Sequence, residues 1–559
     1  MNQAQAIKIN TTAVTAVIAV LLFSFLAVSS ASAAFSAINE NTGFSSLNLL
    51  TSDGDDIFTL VNTNTGDVVN IQDVLTETGL NTSDSNTGDG TTNSGDVDVL
   101  GGFANVFNSN GSTYTNNWWS QAVGSENNTT GAESTNDASA TFSNTVTTVQ
   151  TNDADLSNDI GVDANTGENS ADTNTGTGDV ETGKAIANTS QQNTANGNSF
   201  VSSGSMMSAL FANMAENITT GFSSTNTSGS SIDNTMDVIN DNIALFGNTS
   251  DIFLNTGMNT SDSNTGMGGV DTGNADGMAT IINDANSNAV NVEIEGSDTN
   301  SLTAVNDTTG AESVNDATTS VTGDMEFTNT NDADFNNDAV VDVNTGDNSS
   351  DTNTGSGDVK TGDGDGRILI DNGSIFNKNS TALSFNSSMF DLMAGNMTTG
   401  FSSTNDATAE WMNTVDVVNS NEADVTNDAT VDITTGDNTS DSNTGDGTVD
   451  TGDADAATTI TNDLNVNTTT VNWMAMGATV AGNDTTGASS TNDASATISN
   501  ELTIVNTNTG TVTNTSTTTS STGGNSSSFN TGSGSSTTGN SNVLFGIINQ
   551  GNGNFNIVQ

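Results

Sequence analysis

Hydrophobic and polar residues alternate along most of the chain with a period of two. In the segment 413–436, NTVDVVNSNEADVTNDATVDITTG, Val415, Val417 and Val425 alternate with acidic residues such as Asp416 and Asp424. This alternation is typical of β-strands that bury one face and expose the other to solvent. Between these runs lie N-D, S-N and T-G pairs, which tolerate left-handed backbone conformations and favour turns. The pattern therefore predicts short strands separated by turns.

The pattern recurs six times along the chain. A marker motif, T-T-G or N-T-G, recurs at intervals of 88, 90, 89, 90 and 87 residues and ends at Gly43, Gly131, Gly221, Gly310, Gly400 and Gly487. A second motif keeps three glycines at spacings of nine and seven, as in Gly346, Gly355 and Gly362. The residue after the marker alternates between Phe and Ala, so the larger unit is a pair of repeats. Such periodicity predicts an array of six repeats of about 89 residues.

Two all-β architectures fit these repeats: a single repetitive parallel β-solenoid, which is a β-helix-like rod, or a tandem row of small β-sandwich domains. Each repeat is poor in Leu, Ile and aromatic residues, which favours the solenoid because stacked coils share their apolar faces and backbone partners. With coils of about 22 residues, roughly 24 coils would make a rod on the order of 115 Å long. Disorder of the whole chain competes with both, but the absence of Pro and the persistent alternation oppose it.

The boundaries of the expected segments follow from this periodicity. Residues 1–33 resemble a signal peptide, because Lys8 precedes an apolar run over 13–28 and Ala31-Ser32-Ala33 offers a cleavage site; a retained membrane anchor is the alternative. The expected segments after it are repeat pair 1 (34–217), repeat pair 2 (218–396), repeat pair 3 ending in a Ser/Thr/Gly-rich tract (397–540), and an apolar C-terminal segment (541–559). The leader predicts a secreted or cell-surface protein.

Charge and composition exclude several classes of function. The 559 residues contain 67 Asp or Glu against five Lys or Arg, so the net charge of −62 repels nucleic acid, nucleotides and anionic membranes. There is no Cys and no His, which removes thiolate nucleophiles and zinc-thiolate sites. Each carboxylate candidate recurs in several repeats, whereas an active site is normally single. We therefore expect no enzymatic activity, and no catalytic, cofactor-binding or metal-ligating residue is assigned.

Two short motifs resemble known ligand sites. The segment GDVETGKA, from Gly178 to Ala185, falls one residue short of a phosphate-binding P-loop, because Ala185 stands where a Ser or Thr is required. Asp351, Asn353 and Gly357 in DTNTGSG match the start of a calcium loop, but the closing Glu is missing. We interpret both as turns of the repeat. The alternative is that each repeat binds calcium weakly and that these contributions add up over the chain.

Some residues could be modified or exposed for contact. Asparagines in N-x-[S/T] sequons stand before each marker and inside the glycine motif: Asn127, Asn217, Asn306, Asn396 and Asn483, with Asn81, Asn259, Asn348, Asn438 and Asn525. Trp118, Trp119, Trp411 and Trp473 are either sugar-stacking platforms or parts of a local core or a lateral contact. Because Gly355 recurs in all six repeats, we expect it to adopt a positive φ.

The end of the chain restores apolar residues after a polar tract. The segment 543–559, VLFGIINQGNGNFNIVQ, is interpreted either as a cap on the last coil or as a strand that adds to the first coil of another molecule. Its last ten residues, QGNGNFNIVQ, are similar to a curlin repeat, with Gln550, Gly551, Asn556 and Gln559 in roughly the right order but at a different spacing.

The Asn-, Thr- and Gly-rich repeats after a signal peptide resemble the repetitive secreted β-solenoid proteins of prokaryotic surfaces, the adhesin and filament type. That resemblance implies a structural or adhesive role as a stalk, rod or matrix filament. The implied partners are extracellular matrix, glycan or other cell-surface components, with head-to-tail self-association as a further option. The alternative is an extracellular ligand-binding module for calcium, a glycan or ice on a repetitive β face.

Overall fold

The computed structural model shows the predicted parallel β-solenoid, and each of the six repeats forms a single coil. It describes residues 34–40, 42–114, 122–205, 212–295, 301–373, 376–385, 391–473 and 478–559. Over these residues the secondary structure is entirely β, and no helix is long and apolar enough to cross a membrane. The expected signal peptide over 1–33 lies outside the described residues.

Each coil contains four kinds of strand in the same order. The lead strands are β1 (Ala34–Glu40), β5 (Ala122–Asn128), β9 (Ala212–Ile218), β13 (Ser301–Asp307), β18 (Asp391–Met397) and β22 (Ala478–Asp484). The long strands are β2 (Leu47–Glu77), β6 (Thr135–Asn165), β10 (Thr225–Asn255), β14 (Val314–Asn344), β19 (Thr404–Thr434) and β23 (Thr491–Ser521). The corner strands are β3 (Gly90–Asn93), β7 (Gly178–Glu181), β11 (Gly268–Asp271), β15 (Gly357–Lys360), β20 (Gly447–Asp450) and β24 (Gly534–Thr537).

The return strands complete each coil. They are β4 (Val97–Tyr114), β8 (Ala185–Ser205), β12 (Ala275–Glu295), the interrupted pair β16 (Gly364–Asn372) and β17 (Lys378–Phe385), β21 (Ala454–Trp473) and β25 (Ser541–Val558). Strands of one kind stack in parallel, which gives three six-stranded sheets and a seven-stranded sheet of return strands. The apolar C-terminal segment forms β25, which pairs with β21 as the return strand of the sixth coil.

One coil takes a whole repeat, so the expected coil of about 22 residues is wrong. Strand β10 pairs along its full length with β6 and β14, and its partners lie 90 and 89 residues away. A strand of 31 residues spans about 100 Å, whereas six coils stack to only about 24 Å between the first and last backbones. The molecule is therefore a flat plate, longest along its strands and thinnest between its two layers, which pack about 10 Å apart. The expected long rod of many small coils is also wrong.

The error lies in the interpretation of polar pairs as turns. The S-N pair at Ser420 and Asn421 and the N-D pair at Asn427 and Asp428 lie inside strand β19. Asn421 and Asn427 face inward and are buried, while Asp428 faces outward. A strand tolerates these inward amides because each finds an identical amide in the next coil, as described below.

The core lies between the long strands and the layer formed by the lead and return strands. Stacked coils place like residues above one another, so Phe246 packs on Phe335 of the next coil with ring centroids 4.7 Å apart. Across the core of that same coil, Phe335 packs on Phe376 at 4.3 Å. Trp411 is buried in the cluster beside the lead strands. The apolar filling is thin and mostly Ala, Val and Ile, as expected for two layers that share one narrow interior.

The motif glycines are required by close approach between coils, and the expected positive φ at Gly355 is wrong. The left-handed positions nearby belong to Asp347 and Thr352, each with φ of 58°. A Cβ on Gly355 would lie 2.6 Å from the carbonyl oxygen of Gly266 in the neighbouring coil. The amide of Gly355 donates to that same oxygen at 2.8 Å, so the backbone cannot move away without losing a hydrogen bond.

We expect Gly355→Ala to destabilise the solenoid by on the order of 2 kcal/mol, because the added methyl group overlaps a neighbouring backbone. Gly229→Ala is the matched control, since a Cβ at Gly229 has nothing within 4 Å. Urea unfolding followed by far-ultraviolet circular dichroism measures both. Equal midpoints for the two variants would contradict the requirement for close approach.

Candidate functional site

The most extensive polar feature of the molecule is a set of asparagine ladders that run along the stacking axis. In each ladder, Nδ2 of one Asn donates to Oδ1 of the equivalent Asn in the next coil. Seven ladders are unbroken from coil 1 to coil 6, with first members Asn39, Asn48, Asn64, Asn70, Asn81, Asn105 and Asn110. Each ladder fixes the register of every coil against its neighbours.

The ladders also join the two layers of the core. Oδ1 of Asn242 accepts from Asn152 and Asn198, both at 2.9 Å. Its Nδ2 donates to Asn288 at 2.8 Å and to Asn331 at 2.9 Å. All four hydrogen-bonding positions of the amide are therefore filled, which removes the penalty for burying it.

The sequon asparagines belong to these ladders. The side chains of Asn127, Asn217, Asn306 and Asn396 are fully buried, and each amide nitrogen donates to the next member at 2.8 to 3.0 Å. The sequons inside the glycine motif behave in the same way, as Asn259 shows with its 2.9 Å bond to Asn348. In coils 2 to 5 these nitrogens serve the stack and are not presented on the surface, whereas Asn81 in coil 1 and Asn483 and Asn525 in coil 6 are only partly buried.

The residues of the calcium-like loop make contacts between coils. Oδ1 of Asp351 accepts from the backbone amide of Asp441 at 2.5 Å, and Oδ2 accepts from Thr439 Oγ1 at 3.0 Å. Asn353 accepts from the backbone of Asn264 at 2.8 Å, and Gly357 starts strand β15. The same arrangement recurs in other coils, where Asp172 accepts from Asp262 and Asp262 from Asp351, both at 2.6 Å. The oxygens that resemble calcium ligands thus accept hydrogen bonds from neighbouring coils, Asp351 from the following coil and Asn353 from the preceding one.

Rows of carboxylates line the outer face of the long strands. Between coils 4 and 5 the register places acidic residues opposite one another, as with Asp338 and Asp428. Burial, and then the charge of Asp428, raise the pKa of Asp338. In the same way, burial and the facing Asp432 raise the pKa of Asp342. The pKa of Asp89 is instead lowered, because its carboxylate accepts a hydrogen bond from the backbone N–H of Thr177. The stacked columns therefore oppose the fold electrostatically when they are ionised.

One surface groove of about 460 Å³ lies beside the ends of the long strands in the middle coils. Asp163, Glu168 and Asp342 are among the acidic residues that line it, and Phe253 and Met258 supply apolar surface. Among the described residues, no three or more His, Cys, Asp or Glu side chains are grouped to hold a metal ion. The groove is acidic, but its carboxylates do not form a compact metal site.

The other residues singled out in the sequence lie in regular parts of the coil. Gly178 to Glu181 of the P-loop-like segment form corner strand β7, which pairs with β3 and β11, so this segment is not a phosphate-binding loop. Trp411 is buried, so the sugar-stacking interpretation is wrong for this residue. Trp118 and Trp119 lie outside the described residues, and Trp473 ends strand β21.

Sequence reasoning allowed asparagine ladders only at the corners of the coil, whereas six of the seven unbroken ladders lie inside strands. The signal was present, because Asn recurs at the same place in every repeat, as at Asn48, Asn136 and Asn226. It was obscured because Asn also favours turns, and only the coil length decides whether two equivalent asparagines become neighbours.

We expect Asn242→Ala to lower the free energy of unfolding by about 3 kcal/mol, because it leaves four amide partners without their hydrogen bonds inside the core. Asn291→Ala on the exposed face of β12 is the matched control and should change little. The measurement is the urea midpoint for each variant. A midpoint for Asn242→Ala within error of the control would show that the ladders do not stabilise the stack.

We expect the solenoid to become more stable as the pH falls from about 7 towards about 4. Twelve carboxyls have a pKa raised by folding, so in this window the folded state binds more protons than the unfolded state: Asp137, Glu216, Asp237, Asp251, Asp262, Asp316, Asp332, Asp334, Asp338, Asp342, Asp365 and Asp371. The melting temperature should therefore rise with acidification. High salt at neutral pH should reproduce part of the gain, because it screens repulsion between the columns. A melting temperature that falls steadily over the same range would contradict this expectation.

No family model, no curated protein and no solved structure matches this chain, so what it does is inferred from its own sequence and geometry.

Proposed function

We propose that the chain is a secreted or cell-surface structural protein, adhesive or scaffolding in role, that builds a stalk, rod or matrix filament. The observation that supports this most directly is that seven unbroken asparagine ladders run through all six coils. The buried amides serve register and stacking along the whole chain. This is the use of polar residues expected of a scaffold, whereas an enzyme would gather singular groups in one cleft.

The charge distribution supports an extracellular scaffold. A net charge of −62 keeps plates from clumping face to face, and it opposes binding to nucleic acid or to anionic membranes. The apolar run before Ala34 supports export. Partners of this scaffold would be matrix, glycan or other surface components, together with further copies of the chain.

A ligand-binding role is the second candidate, and the acidic groove favours it. Asp163 and Asp342 flank Phe253 in the same column of the long strands, so the groove combines negative charge with an apolar surface. Such chemistry suits a cation better than a neutral glycan. Calcium is the cation that we propose for this groove under the second candidate function.

Cell fractionation followed by immunoblotting tests the proposed function. We expect the protein in the medium or in a surface fraction released by shear, with Ala34 as its first residue by N-terminal sequencing. Leu21→Arg combined with Leu22→Arg is the control, because two charges in the apolar run should retain the protein inside the cell. Recovery of the parent protein mainly in the cytoplasm would contradict an extracellular role.

A further inference from the structure

The two ends of the stack are open among the described residues. Coil 1 ends in the long strand β2 and coil 6 in the long strand β23, and each pairs with a neighbouring coil on one edge only. Each leaves the backbone groups of a 31-residue edge without a strand partner on the other side. Edges of this length normally need a cover or a partner.

We propose that the partner of each open end is a second copy of this chain, with coil 6 of one molecule stacked on coil 1 of the next in the register of the internal coils. This inference rests on the proposed structural role and names the contact, here called the seam, that would make a filament. The long strands would place Asn492 of one copy over Asn48 of the next, so the ladders would continue across the seam.

The direction of the amides makes the two ends complementary. In every unbroken ladder the amide nitrogen points towards coil 6 and the carbonyl oxygen towards coil 1, as in the 2.7 Å bond from Asn48 to Asn136. In the ladder that begins at Asn81 the backbone fixes this direction, because the backbone N–H of Asn81 also donates to Oδ1 of Asn169 at 3.0 Å. Coil 1 therefore offers a set of acceptors and coil 6 the matching donors. Two coil 1 ends would bring acceptors together, and two coil 6 ends would bring donors together, so neither pairing forms these hydrogen bonds. The contact is therefore head to tail, and it can extend without closing.

The charges of coil 6 differ from those of the coils it follows. Coil 5, residues 391–473, contains 15 Asp or Glu, whereas residues 478–559 contain only Asp484, Asp493 and Glu501. In the seam register, Asp493 lies over Leu49 and Glu501 over Ile57, and Asp484 over Glu40 is the one acidic pair among the aligned strands.

The internal contact between coils 4 and 5 is far more repulsive and still forms. Its long strands alone contain six facing acidic pairs: Asp316 with Asp406, Glu326 with Asp416, Asp332 with Glu422, Asp334 with Asp424, Asp338 with Asp428 and Asp342 with Asp432. The seam therefore meets less electrostatic opposition than a contact already present in the fold.

Two columns of acidic residues in the turns end in uncharged residues at coil 6, so they could continue across the seam without charge repulsion. Asp84 accepts from the amide of Asp172 at 2.8 Å, and the column of equivalent acceptors ends at Ser528 in coil 6. A second column, in which Asp96 accepts from the amide of Lys184 at 2.8 Å, ends at Asn540. Neutral acceptors of coil 6 would therefore face the amides of Asp84 and Asp96 in the next copy. These backbone amides would keep the hydrogen bonds seen between internal coils, and no carboxylate would lie directly over another.

Exposed apolar residues at the two ends also fall in shared columns. Leu100 is 83% exposed on coil 1, and Leu544 is 68% exposed in the same column of coil 6. Val61 and Val505 share another column. Contact between copies would cover part of these outward-facing side chains, as Ile239 in the Val61 column shows: between two coils it is 39% exposed, against 61% for Val61 at the open end.

Light scattering and negative-stain microscopy of the purified full chain test the seam. We expect filaments about 100 Å wide that lengthen by about 29 Å for each molecule added. Ser499→Asp with Thr517→Asp would place new carboxylates over Asp55 and Asp73 of the next copy, while their neighbours in the same molecule are Met412 and Thr430. This double variant should raise the concentration needed for assembly at least tenfold.

A control with the same charge change separates the seam from general repulsion. Ser495→Asp with Thr513→Asp adds two carboxylates to the same strand, but they would face Thr51 and Val69 of the next copy. This control should assemble more readily than the Ser499/Thr517 variant. Ser499→Lys with Thr517→Lys should assemble at a lower concentration than the parent, and added salt should reduce both differences. Circular dichroism confirms that each variant keeps its β structure.

The outcomes distinguish this inference from the proposed function. A parent protein that stays monomeric at every concentration and salt level overturns the seam, as do equal assembly thresholds for the two Asp double variants. Either result leaves the extracellular role to be decided by fractionation. Conversely, filaments that show the expected charge dependence, formed by a protein found in the cytoplasm, would support the seam and contradict the extracellular role.

Discussion

The rest of the structure depends on one constraint: the buried asparagines of the ladders must each meet an identical asparagine one coil away. A buried amide has two donor and two acceptor positions, and leaving them empty costs several kcal/mol. Asn242 fills all four with other asparagines of the stack. This solution exists only when strands are parallel, in register and one repeat apart. Coil length, sheet topology and the orientation of every long strand follow from it.

Asparagine gives the stack something that apolar residues cannot supply. Val and Ala columns tolerate sliding by two residues, because the same face stays buried and similar side chains still meet. A two-residue slip of β10 against β14 would place Asn242 opposite Ala333 in one direction and Asn240 opposite Phe327 in the other, so a buried amide would lose its partner in the next coil either way. The ladders therefore specify one register among several that apolar packing would accept. The carboxylates on the outer face, whose repulsion opposes stacking, can then be tolerated.

The sequence predicts the period and class of this fold well and its geometry poorly. Six repeats of about 89 residues, all-β structure and parallel stacking follow from the marker glycines and the alternation, and the structure confirms them. The coil length was wrong because pairs such as Asn427-Asp428 favour turns in isolation, and only the neighbouring coil makes them part of a strand. The role of Gly355 was wrong for a similar reason, since the carbonyl oxygen that excludes a side chain there belongs to another coil. Both errors concern contacts about 89 residues away, which local patterns do not encode.

Variation in repeat length shows where the ladders allow change. The long strand has 31 residues in all six coils, because one added residue would turn every inward Asn outward. The return strand tolerates a change in the number of its residues. Its partners in coils 3 and 4 lie 89 residues apart up to Asn283 and Asn372, and 91 apart from Ser287 and Lys378 onward. The change falls beside Asn377, which like its equivalents in the other coils has a positive φ and kinks the strand. This insertion falls where the backbone already leaves the regular pleat, so the ladders on both sides keep their register. Other changes in length fall between a return strand and the next lead strand, where the separation of partners rises from 88 residues at Tyr114 and Ser202 to 90 at Gly124 and Met214.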